Sequence, residues 1–434
     1  MARLSSVSVL TLAATIIACG AEPTPPGTLA LNVNPLPTVV TTTTLAVSGQ
    51  VQRLPTAVDV PILVSVTVGT TVHTDTAEVG GAWAFSVTLS PNSSNTITIS
   101  ASDPTGSTAE PVSVSVRHDN QGPTPMGLTP ADRSDGVMPA TVTAGFSEAV
   151  QPSSVHLTVL LQGAAVPGDV VVAADSLSVT FTPATPFLPN AVHAVVLSGM
   201  KDEAGNAGLT SSSCFVTGGS QQSFTDATND TYYAGSPPGN LSPLDLTEVR
   251  LAQTATTLLG IVRFSVAHSL SPGAIAPVLV AFDLDTDNDG GTGYTPTKDV
   301  AFNTVLPNSG LGVEYGIWLV PRSTPTDSSF VVQYTAVLDG NFVYQFLPGE
   351  CGLSVGFAVP RSVLGNEDGT FRTVLYSESF VNDTDGYGDP APDTGYFDVA
   401  LPAATALRAI RLAPPIPMPQ GLFVPLFHGA AFHR

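Results

Sequence analysis

Basic residues are scarce in this chain: 14 Lys and Arg stand against 35 Asp and Glu, a formal net charge of -21 over 434 residues. A field of that sign repels phosphate backbones and anionic headgroups, so nucleic acid is excluded as a natural partner and cations become the natural counterpart. Charge of either sign is thin, at 11% of residues, and beyond residue 19 no stretch carries helical periodicity. Thr, Ser, Val, Gly and Pro fill the space instead, a composition suited to many short strands joined by tight turns. No apolar run spans a bilayer without Gly, Pro or charged interruptions. Cysteine is nearly absent: beyond Cys19 there are only Cys214 and Cys351. These fall in what read as different domains; their spacing does not establish a bridge, and two separately buried thiols are expected. His-Glu-x-x-His, Gly-x-Ser-x-Gly and a glycine-rich phosphate loop are missing too. The seven histidines are dispersed, and lone ones such as His156 and His268 read as packing or surface residues. The chain is therefore read as not being an enzyme, although carboxylates distant in sequence leave glycoside hydrolysis open.

What is there begins at the N-terminus. Arg3 gives a positive start, Leu4 to Ile17 is almost wholly apolar or small, and Ile16-Ile17-Ala18-Cys19 stands where a signal peptide is cut. The run is too short for a permanent membrane span. It resembles the lipobox of bacterial lipoproteins, which implies that residues 1–19 are a lipoprotein signal and that Cys19 is lipidated, becomes the new N-terminus and holds the protein on the membrane. Each buried methylene contributes about 0.8 kcal/mol and one acyl chain holds only marginally, so the two or three chains of a mature lipoprotein give stable attachment. In that family an Asp after the cysteine favours inner-membrane retention. Gly20 stands there instead, which implies the outer membrane or cell surface in a cell with two membranes. Residues 20–27, rich in proline, read as an extended tether.

From about 28 to 119 the sequence alternates with period two. In Gly81-Ala82-Trp83-Ala84-Phe85-Ser86-Val87-Thr88-Leu89 the large residues Trp83, Phe85, Val87 and Leu89 share one face, the pattern of a sandwich strand. Trp83 is in register with Phe85 and Val87 and so reads as core rather than as a sugar-stacking platform. Ile62 to Val68, Thr96 to Ala101, the turn Asp103-Pro104-Thr105-Gly106 and Val112 to Val116 complete the set. Their order resembles bacterial Ig-like modules. Residues 123–217 carry Thr129-Pro130-Ala131-Asp132, Gly145-Phe146-Ser147-Glu148-Ala149-Val150, Leu177 to Pro183, Lys201-Asp202-Glu203-Ala204-Gly205-Asn206 and Phe215-Val216-Thr217. This succession resembles the SbsA-type Ig-like domain of surface-layer proteins, a resemblance that implies a sandwich and no catalytic role. Each of these segments has a full alternating pattern, and Asn120-Gln121-Gly122-Pro123 reads as a linker, so both are expected to fold independently of the third segment.

That third segment, 218–405, holds 21 of the 35 acidic residues. Asp226-Ala227-Thr228-Asn229-Asp230 opens it, and the strand Val278 to Phe282 leads into Asp283-Leu284-Asp285-Thr286-Asp287-Asn288-Asp289-Gly290. Leu311-Gly312-Val313-Glu314-Tyr315 and Asp389-Pro390-Ala391-Pro392-Asp393 come later. These pieces resemble a C-terminal β-sandwich module of secreted bacterial proteins. The tail 413–434 stays unassigned.

Asp285-x-Asp287-x-Asp289-Gly290 sets three hard oxygen ligands on alternate residues with a glycine at the turn, as calcium loops do. Pro296 stands where an EF-hand would place its bidentate Glu, and a strand rather than a helix enters the loop, so a remote ligand is required. Asp283, Glu314, Asp226 and Asp230 are the candidates, the last three suggested by the resemblance rather than by spacing. The alternative is a solvated acidic turn whose carboxylates cap the backbone. Asp383 to Asp389 reads as another exposed turn.

The expected whole is all-β: tandem Ig-like β-sandwiches followed by a larger, jelly-roll-like β-sandwich. Such a chain would stand on the cell surface, lipid-anchored, and display a binding or adhesion module towards a glycan or surface protein, with calcium as a stabilising ion. A structural envelope protein without a specific ligand is the alternative, and a hydrolase accessory module the more distant one. Exposed aromatics such as Tyr232, Tyr233, Tyr315 and Trp318 lining a cleft would favour glycan binding.

Overall fold

The computed structural model describes residues 28–54, 60–78, 81–234, 245–266, 279–293, 310–321, 330–336, 341–346, 349–365, 367–380, 386–392 and 395–402. Cys19, the tether 20–27, His268 and the tail 413–434 lie outside them. The protein is all-β: the described residues form strands in sandwich sheets, with short 3-10 turns and no α-helix. No helix among them is long and apolar enough to cross a membrane. Contacts divide the chain into two compact units, 1–120 and 121–434.

In the first unit, a three-stranded sheet (Thr28–Val33, Thr44–Leu54, Ala82–Thr88) faces a five-stranded one (Val39–Val40, Val112–His118, Ser93–Ser102, Leu63–Val68, Thr71–Thr76). Strict alternation drives the arrangement: Val47, Val51, Val64, Val66, Val87, Ile97 and Ile99 point inward while their neighbours face water. Trp83 is buried among them, its ring 6.1 Å from that of Phe85. At one end Arg53 and Asp103 form a buried ion pair. Burial works against the charge of Asp103, but hydrogen bonds from Thr105, Ser107 and Arg53 outweigh it and hold the carboxyl well below the usual range.

The second unit begins with a similar sandwich. Ser134–Val137, Ser211–Thr217, Val192–Ser198, His156–Leu161 and Ala164–Ala165 make one sheet; Gly168–Val172, Ser178–Pro183, Val142–Phe146 and Pro125–Thr129 make the other. Asp202 closes its turn by accepting from the Asn206 amide at 2.8 Å. Buried His193 stacks on Phe215 (centroids 5.1 Å apart, planes 9° apart), with Phe187 edge-on. The exposed His156 heads its own strand.

The described residues between 222 and 400 form the larger sandwich. Its five-stranded sheet runs Gln222–Thr225, Leu246–Gln253, Thr257–Phe264, Ser354–Pro360, Gly349–Cys351. The facing eight-stranded sheet is built around Thr370–Phe380, Leu279–Asp285 and Tyr315–Pro321. Leu246, Leu251, Val262, Val280, Phe282, Leu375 and Val399 fill the space between, and the Phe282 ring meets that of Phe357 edge-on at 4.8 Å.

Independent folding of 123–217 is not what the structure supports, and neither is the separation of the two thiols. Cys214 and Cys351 form a disulfide across 137 residues, with Cα atoms 5.6 Å apart. Around it Val192, Val216 and Ile261 make one shared apolar cluster, and Leu161, Leu188, Ala191, Ala252, Leu259 and Ala358 another. Gly356 permits the approach: a Cβ there would come within 2.8 Å of Val192 Cγ2. At the rim Asp135 accepts from both Arg250 and Arg263 at 2.9 Å, and the Asn190 amide donates to the Arg250 carbonyl at 2.9 Å. The physical reason is burial: the five-stranded sheet is apolar on its outer face as well, and that face needs a cover.

Two outcomes are expected. Cys351→Ser should lower the stability of residues 121–434 in the full chain by about 2–5 kcal/mol, read by denaturant melts, and a chain ending at Gly218 should expose the shared clusters and aggregate. The second concerns His193, whose burial pushes its imidazole down to about 4 from 6.5. The unfolded chain binds the proton more readily, so this stability is complete above about pH 6.5 and lost as pH falls towards 4, by at most about 3 kcal/mol. Urea melts at pH 7 and pH 4.5 should resolve the loss, and His193→Phe should reduce it.

Candidate metal centre

Alternation along Leu279–Asp285 sends Val280, Phe282 and Leu284 into the core, and therefore Asp283 and Asp285 to the outer face of the sheet. That face is not open. Leu311 and Val313 lie across it against Val374, Tyr376 and Tyr396. Between them Gly312 presses on the acidic loop, where a Cβ would stand 2.1 Å from the Thr292 carbonyl oxygen and 2.6 Å from that of Asp289. The loop turns through Asn288, held at φ 59°. The next residue of the covering segment, Glu314, donates its amide to the Leu284 carbonyl at 3.0 Å. Its carboxylate is thereby delivered to the aspartate ladder.

Carboxylate oxygens of Asp285, Asp287 and Glu314 all lie within 4.8 Å of one another. Oxygens on opposite sides of a calcium ion at 2.3–2.6 Å are separated by roughly 5 Å, so the spacing suits one ion. Thr286 donates its amide to Glu314 Oε2 at 2.8 Å, the Thr292 hydroxyl approaches Asp287 Oδ2 at 2.9 Å, and the Asp289 amide donates to Asp287 Oδ1 at 2.9 Å. Asp285 is fully buried, with Oδ1 making no hydrogen bond, and Arg372 stands 4.0 Å from its other oxygen. Burial pushes Asp285 and Glu314 up, with neighbouring carboxylates adding to it, while hydrogen bonds from Asp289 and Thr292 hold Asp287 down. A hard cation would relieve the raised pair and fill the orphaned oxygen's need.

Of the five residues expected here, the structure gathers three. Asp283 remains in the strand, buried, its carboxyl pushed up to about 7 by desolvation. Asp289 is turned to cap the Gly291 amide at 2.9 Å. The remote carboxylate that joins Asp285 and Asp287 is that of Glu314; Asp226 and Asp230 instead meet Asp389 in a separate group. The expected exposed turn at 383–389 is corrected as well: Gly386–Ala391 is a strand and Asp389 is 1% exposed, while 383 and 385 lie outside the described residues. Burial pushes the Asp389 carboxyl up to about 8, against the Leu246 amide, with Asp230, Asp226 and Asp245 pushing the same way. Tyr315 packs against the core; the side chains of Tyr232, Tyr233 and Trp318 are not among those described.

The bacterial Ig-like domain family matches residues 119–225. No curated protein matches the chain. Among solved structures, similarity extends to part of a 1.5-MDa bacterial ice-binding adhesin retained on its host cell surface (14% identity, TM-score 0.27, covering 87% of this chain and 98% of that one). It extends also to a Ca2+-stabilised, ice-binding adhesin of an Antarctic bacterium (14% identity, TM-score 0.21, covering 87% and 99%). At such scores no property of those proteins carries over to this one.

The Gly312 contact makes a direct prediction. Gly312→Ala should force the covering segment off the loop and withdraw Glu314, so any calcium-induced rise in melting temperature of the full chain should shrink as it does in Glu314→Gln. Differential scanning calorimetry with calcium and with chelator checks it; an unchanged calcium response in both variants would separate Glu314 from the ion.

Proposed function

We propose that this is a lipid-anchored cell-surface protein that displays a calcium-stabilised binding or adhesion module, the acidic sandwich, on Ig-like sandwiches. The observation that carries the reading is the disulfide between Cys214 and Cys351. Such bonds persist in oxidising compartments outside the cytoplasm, which agrees with an export signal ending at Cys19. The bond also ties the bacterial Ig-like segment to the acidic sandwich, so that the two are presented as one body. Lipid at Cys19 would hold the chain on the membrane, and a glycan or surface protein would be the ligand. Calcium is the ion suited to Asp285, Asp287 and Glu314, because an irregular all-oxygen set accommodates it better than magnesium, which demands a tight octahedral shell.

Three measurements on the producing bacterium and the purified chain test this. Fatty-acid labelling and partition into the detergent phase should be abolished by Cys19→Ala; equal labelling of the variant would end the anchoring reading. Calcium at a hundredfold excess over its Kd should stabilise the chain by about 2.7 kcal/mol for each site it fills, an effect that Asp287→Asn reduces and magnesium reproduces poorly. A panel of glycans and surface extracts should yield calcium-dependent retention of the full chain. Retention of none would leave an envelope spacer rather than a binding protein.

A further inference from the structure

We infer a second cation site in the acidic sandwich, at its other end, formed by Asp226, Asp230 and Asp389 with Asp245 behind them. These residues converge from three directions. Asp226 directly follows the edge strand Gln222–Thr225 of the five-stranded sheet, its amide held by the Thr247 carbonyl at 3.0 Å. Asn229, in the left-handed region at φ 66°, turns the chain so that Asp230 comes back beside it, and that turn is pinned by the Asn229 amide donating to Asp245 Oδ1 at 3.0 Å. Asp389 arrives from the opposite sheet, on Gly386–Ala391. Carboxylate oxygens of Asp226, Asp230 and Asp389 then lie within 4.8 Å of one another.

Proximity of acids alone would be a weak reason. The stronger one is what burial leaves undone. Asp389 is 1% exposed; its Oδ2 accepts from the Leu246 amide at 2.6 Å, whereas Oδ1 is buried without a hydrogen-bond partner. Asp245 is equally buried, and after its Oδ1 has taken the Asn229 amide its Oδ2 also lacks a partner. Folds rarely strand buried carboxylate oxygens, because the lost hydration must be replaced. A proton on Asp389 would satisfy one oxygen and leave the neighbouring charges facing each other. One divalent ion answers Asp226, Asp230 and Asp389 together, and a donor set made only of carboxylate oxygens selects a hard cation of the calcium type. Since Asp226 and Asp389 belong to different sheets, the ion would fasten the two layers of the sandwich to one another. The ladder at Asp285 and Asp287 uses other elements, so the two sites stand or fall separately.

The test counts metal on the full chain. Protein stripped with chelator and re-equilibrated with calcium chloride is freed of unbound ion, and calcium per chain is measured by atomic emission for wild type, Asp389→Asn, Asp287→Asn and the double variant, each verified as folded by circular dichroism. The expected result is a loss of one calcium per chain in Asp389→Asn, a different one in Asp287→Asn, and both in the double variant. Asp230→Asn, at a less buried position, replaces Asp389→Asn if the latter does not fold and should lose the same ion. A folded Asp389→Asn or Asp230→Asn that binds as much calcium as wild type overturns the site, as does an Asp287→Asn chain that binds none. No loss in Asp287→Asn alongside a loss in Asp389→Asn would instead remove the ladder and leave this site standing.

Discussion

The structure of residues 121–434 depends on one sheet being buried on both faces. Thr257–Phe264 is buried at nearly every position, not at every second one, and Ser354–Pro360 follows it closely. Leu258, Val262, Val355, Phe357 and Val359 look into the acidic sandwich, while Leu259, Ile261 and Ala358 look out towards the Ig-like sandwich. Apolar surface contributes about 25 cal/mol per Å² when removed from water, so exposing the outer row would cost several kcal/mol. The Ig-like sandwich is therefore a wall of the second core as well as a link in a row of modules. The disulfide and the Asp135 contacts with Arg250 and Arg263 complete a junction that burial has already defined.

A wall on one side dictates where charge can go. With the five-stranded sheet covered on both faces and part of the eight-stranded sheet overlain by Leu311 and Val313, many acidic residues fall at strand ends and in loops. They gather at opposite ends of the Leu246–Gln253 strand. At its start the Leu246 amide meets Asp389; at its finish the Gln253 side chain meets the Asp368 carbonyl, near Thr370, whose own carbonyl holds Asn288 of the ladder loop. Carboxylates so confined repel one another in surroundings of low polarity. Cations are the counterpart that a chain with so few Lys and Arg does not supply itself.

Much of this was legible in the residues, and the failures have physical causes. Period-two alternation locates the strands of both Ig-like segments and the burial of Trp83, because most of those strands turn one face to water. It also placed Asp285 and Asp287 together, since alternate residues share a face. Glu314 was reachable only by resemblance: its position depends on Gly312 fitting against Thr292 and Asp289, which no spacing encodes. The junction was missed although its signal was present. Leu258-Leu259-Gly260-Ile261-Val262 and Val355-Gly356-Phe357-Ala358-Val359 are continuous apolar runs, the mark of strands covered on both sides, and reading them so would have called for a partner and brought Cys351 towards Cys214. Proline and glycine around Asp389 suggest a turn, whereas the strand there is held by register with Ser377.

The position of the disulfide also decides how a pull on the chain would be shared. Cys214 and Cys351 close a loop that contains residues 215–350, so tension applied to the two ends of the chain bypasses that loop. The ladder carboxylates Asp285, Asp287 and Glu314 all lie inside it, and an ion among them would stiffen a region that tension does not reach directly. Asp226 and Asp230 are inside as well, but Asp389 is outside. An ion joining these three would therefore couple the sheltered loop to the strand Gly386–Ala391, which lies in the part of the chain that would bear such a pull. The packed core between the sheets supplies the same coupling by dispersion and exclusion of water, without direction. Ion coordination at Asp226, Asp230 and Asp389 would add direction at that end of the sandwich.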